Sequence, residues 1–274
     1  MQPEFIPKDL KTNVNISSES ITKKSFKILA SFAALVVVLF LIITFSVSLI
    51  ANFAPLNFAQ GLGKTMMNAI QKSYPPASEE QNQKIKLIFD KLTTQLDEEA
   101  EMEFILLDDE DFKNAMALPG GYIAMTTGFL DLLESENQVA MILGHEIGHH
   151  MKRHPMKRMG SGLVTVFFSW LTSSSFDSKL LSNLNHILTL KYSRSQESEA
   201  DMFALDLLVK TYGHAGGAAE AFEALLEMEE EEGDGKLMPA ALLTHPKTET
   251  RIEALRQLIE ESRLPMKDEI SLNY

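Results

Sequence analysis

Between Leu143 and Pro155 the chain reads LGHEIGHHMKRHP, and four of its seven histidines fall inside ten residues of this stretch. His145 and His149 are four apart, so on a helix their imidazoles share one face and can converge on a single ion. Glu146 sits one position further, about 100° around the helix, beside such an ion. Zinc suits this HExxH arrangement, because two nitrogen ligands come preorganised and a third protein ligand plus water completes a catalytic tetrahedron. Water bound there ionises near neutral pH, and Glu146 can take its proton as general base and pass it to a leaving amine. The five-residue pattern arises by chance in only about one chain of this length in a hundred. His150 and His154 lie off the His145/His149 face at ideal spacing and are expected to be exposed or hydrogen-bonded locally. The longer zinc pattern HExxHxxGxxH requires glycine at 152 and histidine at 155, where this chain has Lys152 and Pro155. The third ligand must therefore come from elsewhere.

The segment SRSQESEADMFALDLL, Ser193 to Leu208, is the best source. As a helix it puts Glu197 and Asp201 on one face, while Phe203, Leu205 and Leu208 occupy others. Carboxylates turned toward a core need a cation or a donor. Glu197 could ligate the metal while Asp201 accepts the free N–H of a ligating imidazole. The competing reading sets Glu197, Glu199 and Asp201 together on a solvated face.

These side chains need a helix and a scaffold that holds it. Ser135 with Gln138 predicts a capping box that opens the histidine helix. Ser78 with Gln81 predicts another, ahead of an amphipathic helix through Ile85, Ile88, Phe89 and Leu92. EFILLDD (Glu103 to Asp109) and NAMALPGGYIAMT (Asn114 to Thr126) are short apolar runs broken by Pro119-Gly120-Gly121, and they read as strands joined through a turn. Beyond Thr126 the pattern is helical throughout. The run from Met159 to Phe176 is uncharged, but its dense part, Leu163 to Leu171, covers only about 14 Å as a helix, too little to cross a bilayer. A buried helix is the plainer expectation there, and a membrane-dipping or substrate-contacting hairpin is the other. EMEEEEGDG, Glu227 to Gly235, reads as a solvated loop. GLGKT at 61–65 ends like a phosphate-binding loop, yet Phe58 stands where its first glycine is required.

The 274 residues carry a formal charge of −13, which argues against a nucleic-acid partner, and no cysteine, which excludes disulfides, a thiol nucleophile and Cys-ligated zinc. Residues 28–51 contain no charge, and 24 residues at about 1.5 Å each give roughly 36 Å, enough to cross a hydrocarbon core of about 30 Å. A cleaved signal peptide is the weaker reading, because its apolar region is typically only about 7–15 residues. Lys23, Lys24 and Lys27 precede the span and the next charge is Lys64, so the positive-inside bias places the N-terminus in the cytoplasm. The expected organisation is a cytoplasmic segment 1–27, a transmembrane helix 28–51, a juxtamembrane connector 52–77 and a folded domain 78–274. Within the connector, Leu62, Met66 and Ile70 at helical spacing are expected to rest on the membrane surface or on the folded domain.

NAMALPGGYIAMTTGFLDLL, GHEIGHH, ESEAD and THPKTETRI occur in one order and at one approximate spacing. In this the chain resembles the membrane-associated zinc metallopeptidases that include the HtpX-like heat-shock peptidases, the CAAX prenyl endopeptidases and the periplasmic quality-control peptidases. The match covers roughly residues 70–262. It implies an α+β, mostly helical, gluzincin-type metallopeptidase domain with a small β-sheet, preceded by the one transmembrane helix. It implies one zinc ion per chain on His145, His149 and Glu197, Glu146 as base, and Asp201 behind a ligand. It further implies that the strand Gly121, Tyr122, Ile123, Ala124 is an edge to which an extended substrate adds as a further strand. His245 and Arg251, in THPKTETR, match a motif near the active site. Either could donate to the oxyanion of a tetrahedral intermediate, or His245 could occupy the open zinc position, or the segment could simply cap the last helix.

The CAAX and HtpX-like enzymes cross the membrane several times, whereas one span is expected here, so neither a closed intramembrane chamber nor a prenylated substrate is expected. No repeat domain is expected after the catalytic part. The resulting expectation is a zinc endopeptidase acting on misfolded or damaged envelope polypeptides, anchored once in a bacterial inner membrane with its catalytic domain periplasmic. The alternative is a zinc-containing chaperone or adaptor that binds unfolded chains without cleaving them.

Overall fold

The computed structural model describes residues 20–97, 101–160, 162–164, 167, 171, 190–232, 241, 244–245 and 248–272. Contacts divide the chain into a unit ending at Phe45 and a second unit from Ser46 to Tyr274. The described part of the first unit is helix α1, Ile21–Phe53, whose last turns belong to the second. Its side chains from Ile28 to Phe45 are uncharged, mostly apolar and exposed, and it is long and apolar enough to cross a membrane.

The second unit is mostly helical with one small sheet. After α2 (Leu56–Ser73) and α3 (Glu79–Thr93) come β1 (Glu103–Leu107), β2 (Ala115–Ala117), a 3-10 turn at Pro119–Gly121 and β3 (Tyr122–Thr126). Helices α4 (Thr127–Leu130), α5 (Glu136–Met151), α6 (His154–Arg158), α7 (Arg194–Tyr212), α8 (Glu220–Glu232) and α9 (Thr248–Glu261) follow. The sheet order is β1-β3-β2, with β1 parallel and β2 antiparallel to β3. The strand from Tyr122 is therefore the centre of the sheet, not the edge expected for substrate. Both of its hydrogen-bonding sides are taken, by Glu103–Leu107 on one and Ala115–Ala117 on the other.

Alternation along the strands fills two cores. Phe104, Leu106, Ala115, Ala117, Ile123 and Met125 meet α3, α5 and α7 on one face, while Leu107, Met116 and Ala124 meet Phe58, Leu62, Met66 and Ile70 of α2 on the other. With both faces covered, the strands read as nearly continuous apolar runs. Residues 52–77, expected as a connector, thus contribute a helix to the core of the second unit.

Local chemistry sets where the site helices start. Ser135 caps α5, accepting from the Gln138 amide at 3.1 Å, but the Gln138 side chain accepts from Glu134 N, so the box is half-made. The complete capping box opens α7, where Ser193 accepts from Gln196 N and the Gln196 side chain accepts from Ser193 N. Gly213 in the left-handed region (φ 75) ends that helix. The helices α5 and α7 run antiparallel along a seam of small residues. A Cβ on Gly144 would lie 3.3 Å from Ala204 Cα, and one on Gly148 3.2 Å from Ala200 Cα. The backbone of the third-ligand helix is thereby drawn against that of the histidine helix.

The uncharged run Met159 to Phe176 falls largely outside the described residues. Of the acidic run expected as a loop, residues through Glu232 continue α8, and the rest lies outside them.

Candidate metal centre

From the C-terminal half of α5 the side chains of His145 and His149 emerge into the interior, 3% and 0% exposed. Their Nε2 atoms are 3.0 Å apart. Glu197, on the first turn of α7, brings Oε1 to 3.5 Å from His149 Nε2 and Oε2 to 3.7 Å from His145 Nε2. His245 Nδ1 lies 3.1 Å from both Glu197 oxygens and 3.2 Å from His145 Nε2. Ligand atoms from all four residues fall within 4.8 Å of one another. A zinc ion with bonds of about 2.0–2.1 Å to nitrogen has tetrahedral ligand–ligand separations of about 3.3–3.4 Å. The 3.0–3.7 Å spacings bracket that value and all four residues offer an atom within 4.8 Å of the others, so the cluster has the size that a single zinc ion requires.

Glu146 is buried, its Oε1 3.7 Å from His245 Nε2. Its Oε2 is buried and makes no hydrogen bond among the described residues. A buried carboxylate oxygen without a donor is costly unless a ligand or water meets it.

The charges behind the cluster are matched. Asp201 Oδ1 lies 2.9 Å from His145 Nδ1. Arg251 donates from Nε to Asp201 Oδ2 at 2.8 Å, from Nη2 to Asp201 Oδ1 at 2.6 Å, and reaches Glu197 Oε2 from Nη1 at 2.8 Å. Burial pushes the Glu197 carboxyl up, but His245, His149 and Arg251 outweigh it and hold the group well below the usual carboxylate range. Asp201 is held low in the same way, chiefly by Arg251 against burial. Burial and the neighbouring His145 hold His149 well below its ordinary value. Both carboxylates are thus ionised and His149 is neutral, the protonation states a metal requires of its ligands.

Three neighbours lie outside the expected set. His154 is buried, 1% exposed, with Nδ1 2.9 Å from His149 Nδ1. A continued α5 would carry it off this face; instead α5 ends at Met151 with Lys152 as its C-cap, Arg153 takes a left-handed turn (φ 56, ψ 27) and His154 folds back. Pro155 was the available signal, since a proline has no N–H for the helical ladder and its ring clashes with the carbonyl four residues back, so α5 cannot run on through it. Tyr192 stacks on His149 with ring centroids 3.8 Å apart, and the Arg158 guanidinium lies 4.4 Å from the Tyr192 ring centroid. Burial, with Glu146 and Glu197, raises the Tyr192 phenol, and its hydroxyl makes no hydrogen bond among the described residues. Phe222 of α8 supports the other side, edge-on to His145 and 4.4 Å below the Arg251 guanidinium. No local pattern marks Tyr192 or Phe222 in the sequence. His150 is half-buried and pushed down to about 4 by burial and by Arg153; it is not among the clustered ligands.

The profile of peptidase family M48 matches residues 79–259. The mitochondrial metalloendopeptidase OMA1 of Schizosaccharomyces pombe is 30% identical over 154 residues, covering 55% of this chain and 45% of that protein. The metalloprotease YcaL of Escherichia coli is 29% identical over 157 residues, 55% of this chain and 59% of YcaL. The metalloprotease LoiP of the same organism is 32% identical over 124 residues, 43% of this chain and 49% of LoiP. The matches thus span about half the length of these relatives. The family profile runs from α3 through the sheet, α5 and α7 into α9, the elements around His145, His149, Glu197 and His245, and with that profile covering most of the chain, this protein belongs to peptidase family M48.

Proposed function

We propose that the chain is a membrane-anchored zinc metalloendopeptidase that hydrolyses peptide bonds in extended or unfolded polypeptides. The observation that carries this reading is the unpartnered Glu146 Oε2 beside four converging ligand atoms. His145, His149 and Glu197 would hold one zinc ion, which acts as a Lewis acid toward the peptide carbonyl and brings water into its ionising range near neutral pH. Glu146 takes a proton from the attacking water on Oε2 and delivers it to the leaving amine. Asp201 fixes the His145 ring through Nδ1, leaving Nε2 for the metal. Arg251 spends its donors on Asp201 and Glu197, so it acts as a positioning residue rather than an oxyanion donor. His245, inside the ligand cluster, can occupy the fourth position and must swing away before substrate binds.

With β3 central, the substrate strand is assigned to β2. Asn114 O accepts from Thr126 N and Leu118 N donates to Tyr122 O, so even-numbered residues face β3. The N–H and C=O groups of Ala115 and Ala117 then turn to the outer side, and Ala115 borders a small apolar cleft with Phe129, Ile142 and Phe222 beside Glu146.

The names of the relatives, metalloendopeptidase and metalloprotease, support the activity. The exposed apolar helix with Lys23, Lys24 and Lys27 before it supports a single span through residues 28–51, a cytoplasmic N-terminus and a catalytic unit on the outer face of a bacterial inner membrane, where damaged envelope proteins are the available substrates.

The test uses the full chain in detergent. Glu146→Gln keeps size and polarity but cannot accept the proton, so zinc stoichiometry should match wild type while casein cleavage falls about 10²–10⁴-fold. Cleavage at the wild-type rate would remove Glu146 from the chemistry. A wild-type protein that holds zinc and binds casein uncut would favour the chaperone.

A further inference from the structure

We propose that His154 is a positioning residue that decides which nitrogen of His149 is presented to the metal. The proposal rests on the metal-site reading above. It starts from a contact between two buried imidazoles, His149 Nδ1 and His154 Nδ1 at 2.9 Å. Two nitrogens at that distance share one proton, and the metal determines on which side it sits. His149 points Nε2 into the ligand cluster, 3.0 Å from His145 Nε2 and 3.5 Å from Glu197 Oε1. A neutral imidazole with a free lone pair on Nε2 carries its proton on Nδ1. His149 must then donate, and His154 Nδ1 must accept. The single proton of His154 is left on Nε2, which faces Glu199 Oε2 at 3.7 Å. Every proton in the row from Glu199 through His154 to His149 is assigned by the requirement that one lone pair reach the ion.

The two ligating histidines are therefore oriented by different means. His145 has a carboxylate, Asp201, on its rear nitrogen at 2.9 Å, the usual partner of a metal-bound imidazole. His149 has an imidazole there, and the carboxylate stands one residue further back. Glu199, which one reading of the sequence sets with Glu197 and Asp201 on a solvated face, is 44% exposed at its side chain and lies at the outer end of this row. The backbone break brings His154 to its place. Arg153 adopts the left-handed conformation, and its guanidinium donates to Asn52 O at 2.6 Å and Ala54 O at 2.9 Å, tying the reversal to the chain that leads into α2.

Zinc affinity of the full chain in detergent, measured by competition with a chromogenic chelator, tests the assignment with no appeal to activity. His154→Asn can set its amide oxygen where Nδ1 was and still accept from His149. His154→Leu fills the space without an acceptor. The expected order is wild type and Asn close together, Leu about 10–100-fold weaker, and Glu199→Gln with a smaller loss than Leu. A merely structural role predicts the reverse, since leucine is the better tenant of a buried apolar site and asparagine the worse. Thermal melting of the chelator-treated proteins checks that Leu folds. If it does not, His154→Gln replaces it, because its amide reaches the Nε2 position and not the Nδ1 position. Leu (or Gln) binding zinc as tightly as wild type, or Asn losing as much as Leu (or Gln), overturns the proposal. A wild-type protein that binds no zinc overturns the metal reading instead.

Discussion

Arg251 holds Asp201 in a two-point fork, Nε to Oδ2 at 2.8 Å and Nη2 to Oδ1 at 2.6 Å, and its remaining terminal nitrogen reaches Glu197. One buried guanidinium thus balances the two carboxylates that stand behind and within the candidate metal cluster. Removing one partner of a buried pair leaves an uncompensated charge, which typically costs about 3–5 kcal/mol. Arg251→Leu is expected to lose that much stability in urea unfolding of the metal-free protein. Arg251→Lys should fall between, because an ammonium cannot make the fork. A Leu variant as stable as wild type would show that the carboxylates do not depend on this charge.

Acid should weaken the metal-free protein before any carboxylate titrates. Burial and His145 depress His149, burial and Arg153 push His150 down to about 4, and burial and Lys157 push His154 down to about 4. In each case the folded value lies below the unfolded value of about 6.5. As pH falls, the unfolded chain takes up protons first, so stability is full above about pH 6.5 and drains away toward pH 4. Urea midpoints of chelator-treated protein should be level around neutrality and fall steadily below it. A midpoint that rose on acidification would mean these imidazoles are charged in the fold.

Gly148 is the point on α5 where that helix faces α7, and a methyl there meets Ala200 Cα and O at 3.2 Å. Gly148→Ala gains up to about 1 kcal/mol of helix propensity but costs about 1–3 kcal/mol in overpacking. The net change in unfolding free energy should be a modest loss. The larger effect should be on the site, because α7 must retreat by tenths of an ångström and take Glu197 with it. Zinc affinity is expected to drop measurably, and unchanged affinity would show that the helix pair relaxes elsewhere.

The orientation proposed for the candidate span rests on Lys23, Lys24 and Lys27 against the charge-free stretch up to Lys64. A reporter enzyme that works only outside the cytoplasm, fused after Tyr274, should be active. Moving those three lysines to the far side of the span should silence it. Activity of a cytoplasm-only reporter at the same position would reverse the topology.

The parts of this architecture that were legible from residues are those whose causes are local. Four-residue spacing put His145 with His149 and Glu197 with Asp201, and Pro119-Gly120-Gly121 marked the turn between strands. Sheet order depends on pairings between distant segments, so no local pattern could test the edge role that the family resemblance implied for β3, against which β1 lies from about twenty residues upstream. His154 was missed for a different reason. A helical wheel carries no information past the point where the helix stops, and here it stops three residues before that histidine. Tyr192 and Phe222 reach the site through tertiary packing alone.

The last turns of α1 belong to the catalytic unit. Ile50, Ala51 and Ala54 are buried, and the carbonyls of Asn52 and Ala54 are gripped by Arg153. A sheddase needs a stretch of chain loose enough to thread through its cleft, and the stretch next to this anchor is helical and packed. The enzyme should therefore resist release from its membrane by nicking at the stalk, and should be shed only after its own domain begins to open.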